Sequence, residues 1–349
     1  MTPPLPCLLV VPTGIGCDQG GYAGDALPVA RLLAAASGCL ITHPNVVNGA
    51  SLYWSDPRLQ YVEGWSLDAF ARAELLLRPC RRQRLGLLLD AAIEPELALR
   101  HRQVFAAAGA TLGLDTGPVL VTAGPVGVEL APAASGSSWG RLQNPGVLLQ
   151  GGERLRQAGA TAIAVVARFP DDGGSETLAA YRQGSGVDAL AGAEALISHL
   201  LVRHLRLPCA HAPALAPLPP LPSLDPRAAA EELGHTFLPC VLVGLSRAPH
   251  LVQPQAARPG DLAIDDIGVA VLPAGALGGE ASLRCLARGI PVIAVRSNHC
   301  LLQVDSAALG FPVLSVDSYA EAAGLVLALR EGLAPAALAR PLPAPVAAP

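Results

Sequence analysis

Lysine is absent: all 24 basic residues of this 349-residue chain are arginine. That excludes a Schiff-base lysine, and with it pyridoxal-phosphate chemistry, and also the lysine of a Walker-type phosphate loop. Any anion would have to be held by arginine, backbone N–H groups or a helix N-terminus. Aromatic residues are scarce at 4%, so the cores must be aliphatic, built from Ala, Leu and Val. Charged residues make up 15% against 51% hydrophobic ones, too apolar a balance for a disordered chain. The eight cysteines contain no CxxC pair, which argues against a zinc ribbon or an iron–sulfur cluster. Several lie in apolar runs where a reduced thiol packs as a small hydrophobe, which fits a reducing, cytoplasmic compartment. There is no apolar run of about 18 residues, and no charged segment ahead of an apolar N-terminal stretch. Neither a membrane span nor a signal peptide is therefore expected. A net charge of −4 gives no general attraction to nucleic acid or to an anionic membrane.

What the chain does contain is a repeated theme of apolar strand, polar or glycine-rich turn, and helix. Cys7 to Val11 reads as a buried strand and Leu27 to Ala36 as a helix. Between them lie Gly14, Gly16, Gly20, Gly21 and Gly24. In that context backbone N–H groups can face an anion or a cofactor. The glycines are out of register with GxGxxG, and the second strand ends at Thr42-His43 rather than at an acid, which weakens a dinucleotide reading. The cofactor stays unknown.

The expected fold class is α/β, with two Rossmann-like, parallel-sheet, three-layer lobes facing a cleft. Residues 1–135 are expected to form an N-terminal α/β domain, 136–332 a C-terminal one, and 333–349 a disordered Ala/Pro tail. Residues 123–146 read as a mobile boundary segment, and Pro239–Leu245 as a strand.

In open α/β sheets, ligands bind outside the carboxyl ends of the strands. His43 stands at such an end, with Asn45 and Asn48 able to orient a polar substrate. Asp171 and Asp172 leave a later strand. Asp188, Glu194 and His199 lie on a helix expected over Val187–Leu201, and His211 is placed in a short loop after an apolar approach. A histidine titrating near neutrality suits acid–base work, so His43, His211, Asp25, Asp188 and His199 are the catalytic candidates. The ligand-binding candidates are the five loop glycines, Asn45, Asn48, Asp171, Asp172, Gly278, Gly279 and Ser282. The last three sit in a turn that resembles the donor-binding half of two-domain glycosyltransferases. His199 and His204 are five residues apart, not the four that let one helix grip an ion, so no metal site is assigned. Cys17, inside the glycine loop, is a possible nucleophile, with Cys209 or Cys240 as a second thiol.

Several stretches resemble the DUF3326 family: Pro12–Pro28 (PTGIGCDQGGYAGDALP), Thr42–Trp54 (THPNVVNGASLYW), Arg168–Asp172 (RFPDD), Gly186–His199 (GVDALAGAEALISH), Cys209–Leu215 (CAHAPAL) and Glu231–Ser246 (EELGHTFLPCVLVGLS). The resemblance covers nearly the whole chain and implies a soluble, cytosolic or plastid-type protein, without supplying an activity. The residues themselves point to an enzyme acting by acid–base chemistry on a small polar or anionic metabolite in an interdomain cleft. The alternatives are transfer of a sugar from a nucleotide donor, and a non-catalytic nucleotide or metabolite sensor. The expected partner is a small, anionic ligand, with no nucleic acid and no membrane. A homo-oligomer is compatible with the sequence.

Overall fold

The computed structural model describes residues 2–49, 56–171, 175–338 and 340–342. In chain order the strands are β1 (Cys7–Leu9), β2 (Leu40–Thr42), β3 (Leu59–Tyr61), β4 (Leu76–Arg78) and β5 (Leu85–Leu89). Then come β6 (Thr116–Val121), β7 (Val128–Pro132), β8 (Ser138–Leu142), β9 (Ala162–Arg168) and β10 (Cys209–Ala214). The last are β11 (His250–Val252), β12 (Val269–Pro273), β13 (Val292–Val295) and β14 (Leu314–Val316). Helices alternate with them, so the fold is mixed α/β.

Two parallel sheets carry the architecture. The larger has six strands in the order β14-β13-β12-β1-β2-β3, every neighbouring pair parallel. Leu9 of β1 lies opposite Val271 on one side and Thr42 on the other. The smaller has the order β10-β9-β5-β6, again parallel throughout. Parallel strands are covered on both faces and must be apolar on both. Leu85–Leu89 and the run 162–167 are buried at every position, as that rule requires. The larger sheet takes its strands from both ends of the chain, and the smaller sheet is built from the stretch between them. Residues 1–135 and 136–332 therefore each contribute strands to both sheets.

Local chemistry sets the first unit as the sequence suggests. The helix Leu27–Ser37 carries Pro28 in its first turn and is closed by Gly38 at φ 81°, the left-handed conformation that glycine adopts without a Cβ penalty. Elsewhere the structure corrects the sequence reading. Pro239–Leu245 lies not in a strand but in the helix Leu238–Ser246. A continuous apolar run has no period to separate strand from helix. This helix is apolar nearly all round because it is wedged between the sheets: it packs on β9 and β10, and a Cβ on Gly244 would fall 2.3 Å from the Tyr61 ring. One apolar cluster consequently runs from Leu9 and Val271 through Leu238 and Leu242 to Leu87 and Val166. The 123–146 stretch holds the antiparallel hairpin of β7 and β8. Within the expected tail, Pro335–Leu338 forms a 3-10 turn, while 343–349 lie outside the described residues, as does Asp172.

Candidate functional site

A cavity of about 560 Å³ opens where the carboxyl ends of the two sheets meet. Thr13 follows β1, His43 follows β2, Glu63 follows β3, Asp171 follows β9 and Leu215 follows β10, and all five line it. The helix Ala191–Leu205 closes one wall with Glu194, Ser198 and His199. The helix Pro226–Glu232 supplies Glu231.

The loops after β1 and β2 are joined before they reach the cavity. Gly24 N–H donates to the Asn45 carbonyl at 2.6 Å, and Asn45 Nδ2 donates to the Gly20 carbonyl at 2.9 Å. Gly24, at φ 77°, has to be glycine, since a Cβ there would lie 2.0 Å from Gly49 N. Asn48 Oδ1 accepts from Tyr61 OH at 2.6 Å. His43 is buried, and its Nε2 accepts from Val11 N–H at 3.2 Å. Burial pushes its imidazolium down to about 4, so His43 is neutral at neutral pH with the proton on Nδ1.

His211 is more exposed than His43. It lies on β10, not in a loop: Cys209, Ala210 and Ala212 face the core, and His211 and Pro213 line the cavity. Its Nδ1 is hydrogen-bonded to Ser198 Oγ, and its Nε2 is 3.5 Å from Glu194 Oε2. Ser198 O–H also points to the Glu194 carbonyl, 3.3 Å away and one turn back on the same helix. With its proton directed there, Ser198 Oγ has a lone pair to accept from His211 Nδ1–H, and in that tautomer the unprotonated Nε2 is the nitrogen that faces Glu194.

Two carboxyls nearby are held toward their protonated form. Burial raises Asp188 to about 7, and the Glu194 charge adds to the effect. The Leu190 and Ala191 N–H groups and His211 act in the opposite direction. Leu190 N–H reaches Asp188 Oδ1 at 2.8 Å. Glu231 accepts from Ala23 N–H at 2.7 Å and from Tyr181 OH at 2.9 Å. Burial, then the Asp188 charge, still pushes it well above the usual carboxylate range. Tyr181 is stacked on Tyr22 with ring centroids 4.2 Å apart, which fixes the hydroxyl that reaches Glu231.

A second imidazole–carboxylate pair joins the helix Ala191–Leu205 to the end of β3. His199 Nε2 is 3.0 Å from Glu63 Oε1, while Glu63 Oε2 caps the helix Gly64–Ala71 by accepting from Trp65 and Ser66 N–H. Gly64 leaves room for the ring, because a Cβ there would be 2.9 Å from His199 Nε2. Burial alone would lower the His199 imidazolium, but the Glu63 carboxylate outweighs it and the net shift is upward. Glu63→Gln is thus expected to drop His199 below its ordinary 6.5, measured by NMR titration of the ring protons. A value that stays above 6.5 would mean that Glu63 does not hold the proton there.

The cavity brings together His43, Asn45, Asn48, Asp171, Asp188, His199 and His211. Asp171 stands at its edge, paired with Arg168 at 2.6 Å. Gly14, Gly16, Gly20, Gly21, Gly24 and Asp25 do not line it, nor do Gly278, Gly279 and Ser282, which open the helix Glu280–Ala287. In the glycine loop the N–H groups of Asp18, Gln19, Gly20, Ala23 and Gly24 are bonded to protein acceptors, Gly20 to the Asp25 carboxylate. Burial raises that Asp25 carboxyl to about 6. The Cys17 thiol, considered with Cys209 or Cys240, is directed instead to the Pro12 carbonyl at 3.9 Å. No group of three or more metal-ligating side chains occurs among the described residues.

Sequence reasoning passed over Glu63, Ser198, Tyr181 and Glu231. Glu63 had a readable signal, since it stands at the end of a parallel strand just as His43 does. Ser198 is one helical turn beyond Glu194, which puts both on one face. Tyr181 and Glu231 carried no local signal, because 50 residues separate them.

The family described as "Protein of unknown function (DUF3326)" matches residues 6–339. A protein of Synechococcus sp. named as an uncharacterized lipoprotein is 54% identical over 334 residues, which is 96% of this chain and 93% of that protein. No solved structure matches. No helix among the described residues is long and apolar enough to cross a membrane. The glycine loop, the His43 turn, the helix bearing Glu194 and His199, and the His211 strand all fall inside the matched span, and the chain belongs to the DUF3326 family.

Proposed function

We propose that the cavity binds a small polar metabolite, uncharged or cationic, and performs acid–base chemistry on it with His211 as base and Asp188 as acid. The observation that carries this reading is the His211 ring, held at Nδ1 by Ser198 and presenting Nε2 beside Glu194 in the same cavity as Asp188. Groups whose surroundings push their proton affinities apart suit the two halves of a proton transfer. The sequence suggested an anion, but among the described residues no arginine lines the cavity, and the chain has no lysine. Glu63 and Glu194 would repel a negative ligand, whereas Asp171 and Glu232 are paired with Arg168 and Arg182. In this reading the two parallel sheets act as Rossmann-like lobes and the cavity is their cleft. The strand order of the larger sheet supports that, because it matches the doubly wound order 3-2-1-4-5-6 when its strands are numbered in sequence. Free cysteines favour a reducing, cytoplasmic setting.

Ala195 lines the cavity, and Ala195→Phe would fill it. After incubation with a small-metabolite extract of the host cell, native mass spectrometry is expected to show a bound mass on the wild type and none on Ala195→Phe. The same bound mass on both proteins would place the ligand elsewhere.

A further inference from the structure

A second cluster of reactive side chains lies outside the cavity lining, where the glycine loop meets the segment after β13. The two are tied by backbone bonds: Leu301 N–H donates to the Ile15 carbonyl at 3.0 Å, and Asp18 N–H donates to the His299 carbonyl at 3.0 Å. These bonds bracket Cys17 on one segment and Cys300 on the other. The register is locked further along. Gln19 N–H donates to Asn298 Oδ1, and Asn298 Nδ2 returns a bond to the Gln19 carbonyl, both at 2.9 Å. His299 Nδ1 is 2.7 Å from Asp18 Oδ2. Between these ties Cys17 and Cys300 stand opposite one another on the two segments, the Cys17 thiol directed to the Pro12 carbonyl at 3.9 Å and the Cys300 thiol to the Leu302 carbonyl at 3.5 Å.

The two sulfurs differ in the way a disulfide-forming pair requires. Cys17 is buried at 3% exposure, whereas Cys300 is partly open to solvent. The neighbouring Cys17 thiol lowers Cys300 to about 7, so a fraction of it is thiolate at neutral pH. Cys17 is shifted the other way, by Cys300 and by burial. The other cluster of thiols, Cys7 with Cys39 and Cys285, has Cys7 and Cys285 fully buried and all three raised by burial.

We propose that Cys17 and Cys300 form a reversible disulfide that cross-links the glycine loop to the segment around His299. A low-molecular-weight disulfide is the oxidant. Cys300 thiolate attacks one of its sulfurs, forming a mixed disulfide and expelling the first thiolate. Cys17 then gives its proton to solvent and attacks the Cys300 sulfur. The Cys17–Cys300 bond forms, the mixed bond breaks, and the second thiolate leaves and takes up a proton. The protein dithiol loses two electrons and the small disulfide is reduced to two thiols. The cross-link ties down the loop that supplies Thr13 and Ala23 to the cavity wall.

The test is to incubate the reduced full chain with glutathione disulfide, block free thiols with an alkylating agent and digest with trypsin without reduction. Because the chain lacks lysine, cleavage falls at arginine only. Cys300 is then the sole cysteine of peptide 297–330, and Cys17 shares peptide 1–31 with Cys7. The expected product is a cross-link between these two peptides, lost in Cys17→Ser and Cys300→Ser and restored to free thiols by dithiothreitol. With Cys17→Ser, Cys300 is expected to stop at the glutathione adduct. Wild-type protein in which Cys300 carries glutathione while Cys17 is still alkylated would overturn the proposal without relying on any variant. So would a cross-link that survives Cys17→Ser.

Discussion

His211→Gln is expected to lower turnover of the metabolite that the cavity retains by about 10²–10⁴, the usual worth of a positioned acid–base group. Its binding is expected to stay nearly unchanged. Glutamine keeps a polar group next to Ser198 and Glu194 but cannot accept and release a proton at the Nε2 position. Ser198→Ala acts on the same ring indirectly. It removes the partner of Nδ1, so the imidazole loses its fixed tautomer and orientation while keeping a nitrogen that can take up a proton. The expected loss is smaller, with a displaced pH–rate profile and an unchanged KM. Enzyme assays of both variants separate the cases. Full turnover in His211→Gln would move the proton transfer elsewhere. A wild type that binds its metabolite and never converts it would favour the sensor reading.

Asp188→Asn is expected to make the protein more stable at pH 8 and to leave it unchanged at about pH 4. The sign follows from the raised carboxyl. Asp188 titrates at about 7 in the fold against an ordinary 3.8. Below 3.8 it is protonated in both states; between 3.8 and about 7 the unfolded chain ionises first, and stability is lost as the pH rises through that window. Roughly three pKa steps at about 1.4 kcal/mol each give a loss of up to about 4 kcal/mol. Asparagine is uncharged and can still accept from Leu190 N–H. Urea denaturation at the two pH values checks this. A variant less stable than wild type at pH 8 would show that the Asp188 carboxylate is held as a stabilising ion pair with His211. Turnover is expected to fall at every pH, since an amide cannot donate the proton.

Where a segment's local chemistry decides its conformation, the sequence showed it. β1, the glycine loop and the first helix follow from an apolar run, glycines that need positive φ, and a proline-to-glycine pair of helix ends. That the His43, Asn45 and Asn48 turn reaches the crevice followed from one rule, that ligands bind outside the carboxyl ends of parallel strands; its meeting with His199, on a helix, and His211, within β10, did not follow from it. Long-range pairing stayed hidden. Nothing near β3 says that β12, some 200 residues on, completes the sheet beside β1. The Glu63–His199 pair spans 136 positions and depends on a helix end meeting another helix's flank. The helix Leu238–Ser246 lost its amphipathic signature because it is covered on both sides. The glycine loop looked like an anion cradle because sequence shows its glycines but not the acceptors, Asn298, Asp25 and Glu231, that its N–H groups meet.

The most direct measurement is the protonation pattern of the His211 ring, read by long-range proton–nitrogen NMR on histidine-labelled protein and assigned by the signal lost in His211→Gln. In the neutral ring the account predicts a protonated Nδ1 and a bare Nε2 whose nitrogen shift moves when the cavity is loaded from the metabolite extract and stays put in Ala195→Phe. A proton found on Nε2, with Nδ1 accepting from Ser198, would contradict the account, and so would an Nε2 indifferent to loading.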